Sequence, residues 1–91
     1  MPIEYYRTRD GREDYKFSFE QRRDGTWRAY ILRQPGYGSR SSSAVSTHRL
    51  SDGGRKYVCW NKPLRSLAEV KQVAATWADK TQDYIRHGRR F

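Results

Sequence analysis

The chain has 91 residues, 19 Lys and Arg against 10 Asp and Glu, a formal net charge of +9 and a mean hydropathy of −1.12. That length holds one domain with one modest core. The single cysteine, Cys59, excludes an intramolecular disulfide, and no apolar run approaches the roughly twenty residues that cross a bilayer.

Residues 1–13 are charged, start without the apolar core of a signal peptide, and read as a flexible N-terminal arm. Tyr15-Lys16-Phe17-Ser18-Phe19-Glu20 alternates aromatic and polar side chains, the pattern of a half-buried strand with Tyr15, Phe17 and Phe19 inward. Arg23-Asp24-Gly25 then predicts a hairpin turn, with Gly25 left-handed, leading into a strand from Thr26 to Arg33. A three-residue turn sets Phe19 against Ala29 and Phe17 against Ile31, leaving Lys16, Arg28 and Tyr30 on the other face. Pro35 to Ser43 is Gly- and Ser-rich and reads as a flexible loop. Ala44–Leu50 and Arg55–Trp60 flank Ser51-Asp52-Gly53-Gly54 as a second hairpin. In its second strand either Tyr57 and Cys59 or Val58 and Trp60 face the core.

Ser66 and Glu69 have capping-box spacing. Leu67, Val70, Val73, Ala74, Trp77, Thr81, Tyr84 and Ile85 then recur every three or four positions, predicting an amphipathic helix closed by Gly88. The expected fold is therefore α+β: an antiparallel sheet of three or four strands against one long C-terminal helix. Residues 14–87 form the single domain and 88–91 a basic tail. Thirteen aromatic rings offset a hydrophobic content of only 35%.

The charge is placed unevenly. Ser66–Arg86 carries Lys71, Lys80 and Arg86 against Glu69, Asp79 and Asp83, so the whole excess lies on strands, loops and tail. Arg22, Arg23 and Arg33 flank the first hairpin, Arg28 and Tyr30 lie on it, and Arg40, Arg49, Arg55 and Lys56 occupy the loop and second hairpin. Arginine forks suit phosphates, and tyrosines between them stack on bases. DNA or RNA is thus the expected partner, with Arg22, Arg23, Arg28, Tyr30, Arg40, Arg49, Arg55 and Lys56 as candidate contacts. The alternative is a regulatory module binding an acidic surface of another protein. An enzyme is not expected. Cys59 and His48 lack a third orienting group, no Gly-rich loop opens a helix, and no metal or cofactor motif is present. A lone cysteine fits a reducing cytoplasm.

The layout, with its Asp24-Gly25-Thr26-Trp27 turn and its helix start from Ser66 to Val70, resembles the arm-type DNA-binding domain of phage tyrosine integrases. It is similar, too, to the plant ethylene-response DNA-binding domain. The resemblance spans residues 15–86, interrupted by the Pro35–Ser43 insertion. It implies a three-stranded sheet laid in the DNA major groove and backed by the helix. Arg28 and Tyr30 are the groove-facing positions it implies, and it brings no catalytic residue.

Overall fold

In the computed structural model, which describes residues 2–91, the aromatic alternation becomes strand β2 (Asp14–Gln21). Its Tyr15, Phe17 and Phe19 are buried on one side. β2 runs antiparallel to β3 (Trp27–Arg33), with Phe17 opposite Ile31 and Phe19 opposite Ala29. The turn length accounts for that register: Arg22 N–H donates to Thr26 O at 2.7 Å, and Gly25 sits at φ +87°. Asp24 fastens the turn by accepting from the Thr26 N–H and hydroxyl, at 2.9 and 2.6 Å.

The second hairpin joins β4 (Arg49–Asp52) to β5 (Arg55–Val58). Gly53 and Gly54 take φ +57° and +81°, the two successive left-handed positions of a tight hairpin turn. β5 lies beside β3 with Tyr57 opposite Tyr30. Val58 enters the core and Tyr57 faces away from it. The strand ends at Val58, before Cys59 and Trp60.

The first strand of the second hairpin, expected from Ala44, starts only at Arg49. Ala44–Thr47 is a short helix, α1, capped by the Ser43 hydroxyl, which accepts the Ser46 N–H at 3.2 Å. His48 then turns the chain at φ +53° into β4. The core causes this: Thr47 is fully buried, and its carbonyl accepts the Trp77 indole N–H at 3.0 Å.

The expected arm is likewise corrected. β1 (Ile3–Arg7) pairs antiparallel along β2, so the sheet has five strands, ordered β1-β2-β3-β5-β4, rather than three or four. Polar contacts dock this segment. The Tyr6 hydroxyl donates to Asp79 at 2.7 Å across 73 residues, and the Arg9 N–H reaches the same carboxylate at 2.8 Å. Glu4 pairs with Lys71. The buried Thr8 donates its hydroxyl to Asp10 at 2.6 Å, which holds that carboxyl down at about 2.

Helix α2 (Leu67–His87) crosses β2 and β3. Val70, Val73, Ala74, Trp77, Ala78, Thr81 and Tyr84 are buried, with Leu67 at the margin of the core. The Trp77 ring meets Tyr15 and Phe17 edge-on, with centroids 5.9 and 6.0 Å apart. The Gln34–Ser43 loop is strapped to the helix end. Tyr37 packs on Tyr84 at 6.0 Å, and the Tyr84 hydroxyl donates to Ser41 O at 2.8 Å. In the basic tail, Phe91 stacks on His48 at 4.4 Å.

At the helix start the Ser66 hydroxyl accepts the Glu69 N–H at 3.1 Å, while the Glu69 carboxylate accepts the Arg65 N–H at 2.9 Å. Ser66→Ala therefore costs about 1 kcal/mol. The expected drop in Tm is about 4–8 °C by thermal melting; an unchanged Tm would show that the cap carries no stability.

Candidate polyanion-binding surface

The sheet has two sides with different electrostatics. Away from the helix, one row of the pairing runs Ile3, Ser18, Tyr30, Tyr57, Leu50 from edge to edge. Tyr30 and Tyr57 lie together at its centre, with ring centroids 5.7 Å apart. Arg28 of β3 stretches over the Tyr57 ring, 4.0 Å from its centroid, to pair with Asp52 at 2.8 Å. Arg55 of β5 stretches the opposite way over the Tyr30 ring, at 3.8 Å, to pair with Glu20. Each arginine thus crosses one tyrosine and grips a carboxylate on the far side, forming a clasp across four strands. Hydrogen bonding from Arg55, joined by the Ser18 hydroxyl at 2.9 Å, pulls the Glu20 carboxyl below its ordinary range.

The clasp changes what this face offers a ligand. Tyr30 is only 7% exposed, so its ring is closed to base stacking. The guanidinium groups of Arg28 and Arg55 already have carboxylate partners. The apolar side chains left open on this face are Ile3, Tyr5 and Leu50.

The other side holds a different cluster. Arg49 is the register partner of Val58, and Lys56 lies two residues from Val58, so both share the core side of the β4–β5 hairpin. With Arg33 at the end of β3 they line a shallow groove whose other walls are Ile31, Leu32 and Gln34. Arg49 is half-buried and held by neutral groups only. Its Nε–H donates to Thr47 Oγ1 at 3.3 Å, one terminal N–H donates to Gln34 Oε1 at 3.2 Å, and its plane lies 4.8 Å from the centre of the Tyr37 ring. Lys56 donates to Ser51 at 2.7 Å. No carboxylate lines the groove among the described residues. Lys16, opposite Arg33 in the β2–β3 pairing, alternates with the core residues Tyr15 and Phe17 and packs its ammonium over the Tyr5 ring at 5.4 Å on the outer face, apart from this groove.

The eight residues nominated from sequence are therefore not one surface. Arg28, Tyr30 and Arg55 form the clasp, and Arg49 and Lys56 line the groove. Arg22 and Arg23 lie in the β2–β3 turn, at the other end of β3 from Arg33, about 20 Å away along a strand of this length. Arg40 closes the helix C-terminus, donating to the carbonyls of Ile85 and Arg86 at 3.3 and 3.5 Å. Its charge there offsets the negative end of the helix dipole. Gln34, Thr47 and Tyr37, which set the Arg49 side chain, carry no sequence signal for that role. They converge on it only through the α1 turn and the strapped loop. Arg33 stood beside the hairpin in the sequence but needed the groove to acquire partners.

Cys59 and His48 are joined through the backbone, Cys59 N–H donating to His48 O at 2.8 Å. The imidazole, however, is stacked on Phe91, and Cys59 opens instead onto a groove lined by Trp27, Tyr57, Trp60 and Leu64, without a histidine. No helix among the described residues is long and apolar enough to cross a membrane. Comparison with protein-family models, curated proteins and solved structures finds no match.

Proposed function

We propose that the protein is a non-enzymatic cytoplasmic module that binds nucleic acid through its phosphates. One observation carries this reading: the distribution of ion pairs. Seven of the 19 Lys and Arg side chains are matched by carboxylates, leaving twelve without an ion-pair partner among the described residues, against three free carboxylates, Glu13, Asp24 and Glu69. The unmatched cations include the groove cluster Arg33, Arg49 and Lys56. Acid-free positive surface of this kind attracts polyphosphates at long range and exchanges condensed counterions for protein cations. The resemblance of the sequence layout to the integrase arm domain implies DNA, met through Arg28 and Tyr30. The contact surface proposed here is the groove side of β3, β5 and β4 rather than the clasped face.

The open Ile3, Tyr5 and Leu50 side chains support a second reading, docking onto an acidic protein surface with an apolar centre.

A salt titration with a labelled duplex and a labelled single strand separates the two. On duplex DNA, log K should fall linearly with log salt, with a slope of about −0.9 per phosphate contact. Absence of binding to either probe at low salt, from a folded sample, overturns the nucleic-acid reading and leaves the protein partner in front.

A further inference from the structure

Within that surface, and resting on the nucleic-acid reading, we infer that the groove of Arg33, Arg49 and Lys56 is a discrete site for one phosphate group, with Arg49 as its anchor. Three cations share one shallow groove with no carboxylate among them, a placement whose mutual repulsion an anion relieves. Arg49 is already oriented. Thr47 and Gln34 each accept one of its N–H groups and Tyr37 supports its plane, so most of the cost of ordering a long side chain falls on folding rather than on binding.

Two of the five guanidinium N–H groups are used by these neutral acceptors, and three remain to be shared with a ligand. A guanidinium held this way presents a planar fork, which matches two oxygens of a tetrahedral phosphate better than a point charge does. Arg33 and Lys56 are exposed and line the same groove, where their charges face the remaining oxygens. The clasp arginines contrast with this arrangement, since Arg28 and Arg55 are ordered by carboxylates that occupy the same donors. Arg40 spends its donors on helix carbonyls.

The ligand chemistry is phosphate oxygen, whether from an internal phosphodiester or from a terminal or free phosphate. The test is a titration of the full chain, followed by NMR of its arginine Nε–H and backbone signals. The probes are inorganic phosphate, a short deoxyoligonucleotide with a 5′-hydroxyl, and the same strand with a 5′-phosphate. Phosphate should shift Arg49, Arg33 and Lys56 together and leave Arg28 and Arg55 unmoved. Arg49→Gln should weaken phosphate at least tenfold, and Arg49→Lys should restore little of that loss. Lys56→Gln, at an exposed position, should weaken binding severalfold and serves as a second reporter if Arg49→Gln perturbs the fold.

Stronger effects from the 5′-phosphorylated strand assign the site to terminal phosphates; equal effects assign it to the backbone. Small shifts spread over all arginines, or full phosphate affinity in both variants, overturn the site. If phosphate binds in an Arg49-dependent way while no oligonucleotide binds, the site stands and the nucleic-acid reading falls. If oligonucleotides bind equally to wild type and Arg49→Gln, the reading stands and the site falls.

Discussion

Replacing Trp77 by alanine should cost about 3–5 kcal/mol, the range for emptying a buried indole-sized volume. Trp77 is 1% exposed, sits edge-on to Tyr15 and Phe17, and donates its indole N–H to the Thr47 carbonyl. The substitution therefore opens a cavity between helix and sheet. It also leaves a buried carbonyl without its partner, in the segment that turns α1 into β4. Domains of this size have about 5–15 kcal/mol of total stability, so the variant loses a large fraction of it. Urea unfolding measures the loss. Trp77→Phe keeps most of the apolar contact while removing the hydrogen bond, so its smaller cost, about 1–3 kcal/mol, sets an upper bound on the hydrogen-bond component. A cost below about 1 kcal/mol for Trp77→Ala would mean that the helix does not depend on this contact.

Removing the groove charges together, as Arg33→Gln with Arg49→Gln and Lys56→Gln, should flatten the salt dependence of duplex binding by about 2.7, three contacts at about 0.9 each. At 0.1 M salt that corresponds to a loss of several hundredfold, roughly, in the counterion-release part of the affinity. A charge-neutral control comes from the clasp. Arg28→Gln with Asp52→Asn deletes one ion pair without changing the net charge, and should leave the slope where it was. The reverse outcome, a flat response to the groove variant and a changed slope for the clasp variant, moves the contact surface to the outer face of the sheet.

What the sequence carries well is whatever depends on neighbours along the chain. The period-two aromatics of β2, the turn at Gly25 and the register it imposes on Ala29 and Ile31, the Ser66 cap and the three-four spacing up to Tyr84 are all local signals. Each is read with its own residues in view. Net charge and its absence from the helix are likewise properties of composition.

Tertiary structure alone decided the rest. β1 forms because Tyr6 and Arg9 find Asp79, 73 and 70 residues away, and Ala44–Thr47 coils because Trp77 needs the Thr47 carbonyl. Which arginines are free is a matter of the same kind. Sequence counts charges, but an ion pair depends on register and reach, so Arg28 and Arg55 were cancelled by carboxylates two strands away, while Arg49 met only an amide, a hydroxyl and a tyrosine ring. Charge acts over distances in space that the chain's own order does not encode, and the fold therefore determines where the positive surface lies.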